Sequence, residues 1–144
     1  MNKNAQWWLV VVLRCMAAAE ALAIVPVFMP HEWMDACHRW LGLGDLPRIP
    51  VIVYLTRSLS AMYVAHAGLL WLITRDVVRY RPVITYFGWL FIAFGTLMLF
   101  VDFHAGLPWS WILGEGPVVV AVGLAVLILQ RREERPTMAA NRVP

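Results

Sequence analysis

Apolar residues run along this chain in four blocks separated by short polar stretches. Trp7 to Met29 is apolar apart from Arg14 and Glu20, and Val51 to Ile73 is interrupted only by Arg57 and His66 among charged or imidazole side chains. Val83 to Val101 carries no charge. Val118 to Leu129 is purely apolar but short, so the last block has to recruit Trp109 to Gly116 to reach full length. A helix crossing the hydrocarbon layer of a bilayer needs about 20 mainly apolar residues. The pattern therefore predicts an all-α protein, an integral membrane four-helix bundle. Its spans are expected near 7–29, 51–73, 83–101 and 109–129, with the last one bent at Gly114-Glu115-Gly116-Pro117.

The stretch between the first two blocks has a helical pattern of its own. Pro30 is well placed as a first helical residue, and Trp33, Cys37, Trp40 and Leu41 return on one face. Gly42-Leu43-Gly44-Asp45 then ends the helix, and Pro47 and Pro50 keep the connection to the second block extended. This predicts a short interfacial helix over about 30–41, lying as a lid over the outer end of the bundle with its tryptophans at headgroup level. Residues 1–130 form the bundle in this reading, and 131–144 a polar tail.

Composition agrees with the pattern. Of 144 residues, 61% are hydrophobic and 15% charged, and the mean hydropathy is +0.67. A soluble domain carries about 45 to 50% apolar and about 25% charged residues. The net charge of +3 is not gathered into a stripe of the kind that binds nucleic acid. The two cysteines, one deep in the first span and one in the outer helix, are too few and too far apart for a disulfide framework. A secretory signal peptide is the alternative for the first block, but Arg14 cuts its apolar run to seven residues, so a retained span is expected.

Positive residues in short loops set orientation. Lys3, Arg75, Arg79, Arg81, Arg131, Arg132, Arg135 and Arg142 fall on one side, and only Arg39 and Arg48 on the other. Both termini are accordingly expected to be cytoplasmic, in a cell (inner) membrane.

Charges at membrane depth are costly and mark candidate sites. At about 1.5 Å per residue, Arg14 and His66 both fall about 10 Å above the cytoplasmic side, while Glu20, Arg57 and Glu115 fall about 20 to 24 Å above it. Asp102 lies slightly higher, with His104 at the rim. Two layers are expected: a lower pair of Arg14 with His66, and an upper cluster with Arg57 as the central cation among Glu20, Asp102 and Glu115. Tyr54, Arg57, Ser58, Ala61, Ala65 and Gly68 form a small and polar stripe expected to face the neighbouring helices, and Gly88, Gly95 and Asp102 recur every seven residues. Candidate ligand-binding residues are thus Arg57, Glu20, Asp102, Glu115, His104 and Tyr54. Read blandly, they are a salt-bridge network that fixes helix register. Read functionally, they form a polar chamber for a small head group or for protons. Glu115 is expected to cap the helix restarting after it.

Other chemistry is weaker. His31, Asp35 and His38 have the spacing of a three-ligand metal face, but that pattern more often belongs to a hydrated helix surface, and no metal site is assigned. His66 and His104 are offset by about 20 Å, which excludes a simple bis-histidine haem between them. No phosphate loop, nucleophile elbow or complete metalloprotease motif is present, so no cofactor is assigned.

The order of features resembles the small four-span bacterial membrane proteins of the DoxX-like group. The likeness is carried by Pro26-Val27-Phe28-Met29-Pro30, Leu41-Gly42-Leu43-Gly44, Tyr54-Leu55-Thr56-Arg57-Ser58 with Met62-Tyr63 and Gly68, and Ala105-Gly106-Leu107-Pro108. The resemblance implies a compact four-helix bundle, in some cases a subunit beside quinone-linked oxidation of sulfur compounds. It implies no catalytic residue. The expected function is an accessory or small-ligand-binding membrane subunit that receives a quinone or a lipid head group and contacts the bilayer and other membrane subunits. A small membrane enzyme doing acid/base chemistry on a lipid-soluble substrate is the alternative.

Overall fold

Ala5, Leu9, Leu13 and Ala17 recur every four residues, and this stripe is the buried face of the first helix. The computed structural model describes residues 3–134, which form seven helical segments and no strand. They are α1 (Lys3–Ala21), α2 (Ile24–Phe28), α3 (His31–Trp40), α4 (Pro50–Ile73), α5 (Arg81–His104), α6 (Trp109–Gly114) and α7 (Gly116–Glu134). Three stretches are long and apolar enough to cross a membrane: Lys3–Phe28, Arg81–His104 and Trp109–Arg132. α4 is as long as α5, at 24 residues, but Thr56, Arg57, Ser58, Ser60, Tyr63 and His66 dilute its apolarity.

The boundaries differ from the expected spans in physically readable ways. The first span is not one helix. Pro26 has no N–H, so the carbonyl of Leu22 accepts from Val25 instead, at 3.0 Å, and the chain turns between α1 and α2. The last span breaks at Glu115, inside the expected bend. Pro30 is the N-cap of α3 and not its first helical residue. α7 continues through Glu134, so the helix extends past the expected start of the tail at 131. The remainder of that tail, 135–144, lies outside the described residues.

α1 runs antiparallel to α4, with Arg14 opposite Thr74 and Glu20 opposite His66. α5 and α7 form a second antiparallel pair, joined to the first along α1 and α7. Leu9, Leu13, Leu70, Ile73, Ile84 and Val126 are fully buried where the helices meet, and Val77 closes the core from the α4–α5 turn.

α5 and α7 approach each other closely. Gly88 and Gly95 of α5 face Gly123 and Gly116 of α7, two glycines per helix spaced by seven. A Cβ on Gly95 would sit 2.6 Å from the Gly116 carbonyl oxygen, and one on Gly123 would sit 2.6 Å from that of Gly88. The seven-residue spacing is that of a left-handed, small-angle crossing. One heptad beyond Gly123, Gln130 accepts a hydrogen bond from Thr85 Oγ1 and donates Nε2 to the Arg81 carbonyl, both at 3.0 Å. These bonds lock the register.

Both return loops begin with the same device. After α3, Leu43 N–H bonds to the His38 carbonyl and Gly42 N–H to that of Arg39; after α5, Leu107 and Gly106 repeat the pattern on Asp102 and Phe103. The pattern needs a left-handed residue, and Gly42 and Gly106 supply it at φ 78° and 71°. The return after α3 is then tied down by side chains. Asp35 accepts the Leu46 N–H at 2.8 Å and pairs with Arg39 at 2.7 Å, and His38 Nδ1 donates to the Gly44 carbonyl at 2.9 Å. Trp33, Cys37, Trp40 and Leu41 are all exposed.

Asp35→Ala is expected to release this return. The Leu46 amide should lose its protection in hydrogen exchange, and stability should fall by about 1.5 to 3 kcal/mol, the worth of one hydrogen bond to a charged group. The Asp35–Arg39 ion pair, whose arginine is exposed, adds little to that. Unchanged exchange at Leu46 would mean that the loop holds without Asp35.

Candidate functional site

The buried stripe of α1 ends on a carboxylate. Glu20 has a side chain only 8% exposed, and His66 of α4 donates Nδ1–H to its Oε2 at 2.6 Å. The imidazole is held edge-on by Phe87 and Phe91 of α5, at 5.1 and 5.9 Å between ring centroids. With Glu20 buried and His66 about a quarter exposed, a bond of this length to a carboxylate is among the stronger polar contacts a protein makes.

Beside this pair is a cavity of about 360 Å³. Its polar side consists of Glu20, Tyr63, His66 and Glu115, and its walls are Met16, Leu59, Met62, Leu90, Phe91, Phe94 and Val119. Leu59, Met62, Leu90 and Phe94 are also exposed on the outer surface. α4 and α5, although consecutive, approach each other far less closely than α1 and α4 or α5 and α7. The cavity therefore opens sideways, through the seam between α4 and α5.

Glu115 reaches the cavity because the helix breaks there. Its Oε2 accepts the Trp111 indole N–H at 2.6 Å, so its carboxylate is committed to α6 and does not cap α7 as expected; only its main-chain carbonyl joins that helix, accepting from Val119. Glu115 lies within electrostatic reach of Asp102 and Tyr63, and Tyr63 within reach of Glu20. Asp102 is 4% exposed. It does not line the cavity, and its Oδ2 is buried without a hydrogen-bond partner, a costly arrangement for an ionised oxygen.

The expected hub does not form. Arg57 is exposed, donates only to the Met29 carbonyl at 3.4 Å, and has no carboxylate within ion-pair distance among the described residues. Tyr54 is exposed beside it, and His104 is exposed and bonds its own helix at the Phe100 carbonyl, 2.8 Å away. Of the six residues expected to share one chamber, Glu20 and Glu115 line the cavity, Asp102 lies near Glu115, and Arg57, Tyr54 and His104 are elsewhere. The α4 stripe expected to pack against its neighbours faces outward: Tyr54, Arg57, Ala61, Ala65 and Gly68 are all exposed.

The lower pair fails for a related reason. Arg14 bonds Thr74 Oγ1 at 3.3 Å and lies over the Trp71 ring, while His66 belongs to Glu20. Depths measured from the ends of the apolar blocks assume that the blocks are flush. α1 instead begins lower than α4 ends, so Glu20 meets His66 and Arg14 meets the α4 terminus. Tyr63 and His66, one turn apart on α4, are the site residues that this offset hides.

Asp35 and His38, two of the three possible metal ligands in α3, hold the return loop instead. No group of three or more His, Cys, Asp or Glu side chains is gathered among the described residues. No protein-family model matches the chain, and no curated protein or solved structure is significantly similar to it.

Proposed function

We propose that this chain is a multi-pass membrane protein, a four-helix bundle with an interfacial lid. It holds the neutral, hydrogen-bonding ring head of a lipid-soluble molecule of quinone type, as an accessory or ligand-binding subunit. The observation that carries this reading is the Glu20–His66 pair at the polar end of an apolar, sideways-opening cavity. The surface apolarity of the helices and the bias of Lys and Arg toward one set of loops support a bilayer setting with both termini cytoplasmic. The resemblance to DoxX-like proteins agrees with this.

The chemistry of the lining selects the head group. A volume of about 360 Å³ lies within the usual range for small-molecule pockets. Two carboxyl groups disfavour an anionic head, and the aromatic walls of Phe91 and Phe94 suit a flat ring. With Nδ1 committed to Glu20, His66 Nε2 is the nitrogen that meets the ligand. It accepts from a ring hydroxyl when the imidazole is neutral and donates to a ring carbonyl when it is protonated. The pair can therefore serve both the reduced and the oxidised form of such a ring.

The test is binding of a short-chain benzoquinone to the detergent-solubilised protein. His66→Leu and Glu20→Gln are each expected to weaken it about tenfold, the equivalent of one lost hydrogen bond of about 1.4 kcal/mol. Equal affinity in wild type and both variants would end this reading. The rival reading, acid/base catalysis by the same pair on a lipid-soluble substrate, rests on the same bond and would be favoured by turnover of the bound molecule.

A further inference from the structure

A second recess lies outside the cavity, at the start of α4. It is a shallow cleft of about 640 Å³ lined by Arg48, Pro50, Val53, Tyr54, Arg57 and Ser58. We propose that it is a binding site for the phosphodiester head of an anionic phospholipid, distinct from the site of the ring-bearing ligand. This inference rests on the bilayer setting proposed above but not on the identity of the ligand in the cavity.

Two guanidinium groups flank the cleft, and neither is neutralised within it. Arg57, about two turns into α4, has among the described residues only the long contact to the Met29 carbonyl, near the limit for a hydrogen bond. Arg48 is held to Glu32 at 3.5 Å with both side chains exposed, a pair of little worth that an incoming phosphate can replace. An arginine at the edge of the hydrocarbon layer without an acid of its own is expensive unless an anion or headgroup meets it. Tyr54 and Ser58 add hydroxyl donors. Pro50, at the first position of this 24-residue helix, puts the positive end of α4 in the same wall. Arg is suited to phosphate oxygens because its planar fork offers paired donors.

The rest of the lining distinguishes a lipid from a free anion. Pro50 and Val53 also line the cleft, and exposed Ala61, Ala65, Gly68 and Leu72 continue below Tyr54 and Arg57 on the same face of α4. Inorganic phosphate would use only the charged rim, whereas a phospholipid also covers this apolar path with an acyl chain. Charge separates the two recesses: the inner one carries Glu20 and Glu115, and the outer one Arg48 and Arg57.

The experiment is native mass spectrometry and thermal unfolding of the full chain in a neutral detergent, with phosphatidylglycerol, phosphatidylcholine or inorganic phosphate added. Phosphatidylglycerol should remain bound and raise the unfolding midpoint, while phosphatidylcholine and phosphate should not. Arg57→Gln and Arg48→Gln should each weaken phosphatidylglycerol binding about fivefold, which is about 1 kcal/mol per basic side chain near an anionic surface. Glu20→Gln should leave it unchanged. Equal retention of both lipids by wild type, or an unchanged preference in the Arg48→Gln/Arg57→Gln double variant, would overturn the proposal. Displacement of the lipid by millimolar phosphate would reassign the cleft to a soluble anion. Recovery of the protein without detergent would instead refute the bilayer setting, so the two failures are distinguishable.

Discussion

Gly95→Leu is expected to separate α5 from α7 and to lower stability by about 3 kcal/mol or more, near the upper end for overpacking a close contact. A Cβ at this position meets the Gly116 carbonyl oxygen at 2.6 Å and the Val120 nitrogen at 2.9 Å. Both are main-chain atoms of α7, so relief requires moving a whole helix. Even Gly95→Ala should cost about 2 kcal/mol, although alanine is the better helix former by about 1 kcal/mol. Gly88→Ala should cost less, because its new methyl meets side-chain atoms and no main chain, Leu127 Cδ2 and Cγ at 2.7 and 2.8 Å. Gly68→Ala, on the open face of α4 with nothing within 4 Å, should be neutral or stabilising by about 0.5 to 1 kcal/mol. Unfolding midpoints in detergent give the order directly. A Gly95→Ala protein as stable as wild type would mean that the helices do not touch at this register.

His66→Leu should destabilise by about 3 to 5 kcal/mol, because it leaves Glu20 as a buried acid without its partner. Glu20→Gln/His66→Leu should lose clearly less than the sum of the two single changes, since the second change removes the charge that the first one stranded. The contrast is Arg57→Leu. With Arg57 as the hub of a buried charge cluster, that substitution would cost as much as breaking a buried pair. With Arg57 exposed and held by one long contact, it should stay within about 0.5 kcal/mol. A large loss on Arg57→Leu together with additive Glu20 and His66 effects would reverse the present assignment.

The helices are legible in the sequence because apolar length and glycine or proline punctuation are local signals. Gly42 ends its helix where the sequence places it, and Gly114 to Pro117 contains the break, whereas α5 runs on to His104, past the expected end of its span at 101. The glycine seam is only half legible. Gly88, Gly95 and Asp102 show the heptad on α5, but the matching Gly116, Gly123 and Gln130 on α7 gain their meaning only once the two helices are paired. Two heptads of equal spacing on adjacent apolar helices are the signal for that pairing. The site is less legible because it depends on how far one helix slides along another. An offset of α1 against α4 replaces an Arg14–His66 pair with Glu20–His66. The outward stripe of Tyr54, Ala61, Ala65 and Gly68 shows a second limit: small residues permit close packing but do not require it. α4 packs through Ala67, Leu70 and Ile73, on the opposite side of the helix, about half a turn around from that stripe.

In the bilayer setting proposed above, the loose seam between α4 and α5 changes what affinity means for the proposed ligand. An opening that faces sideways samples the concentration of a molecule dissolved in lipid and not its concentration in water. Each tenfold enrichment by partitioning is equivalent to about 1.4 kcal/mol of binding free energy that the site itself does not have to supply. A cavity with one strong polar pair and otherwise unspecialised walls can then be well occupied while holding its guest loosely, and a loosely held guest leaves quickly. Occupancy would follow the composition of the membrane from moment to moment, as suits a component that exchanges its ligand with a shared pool.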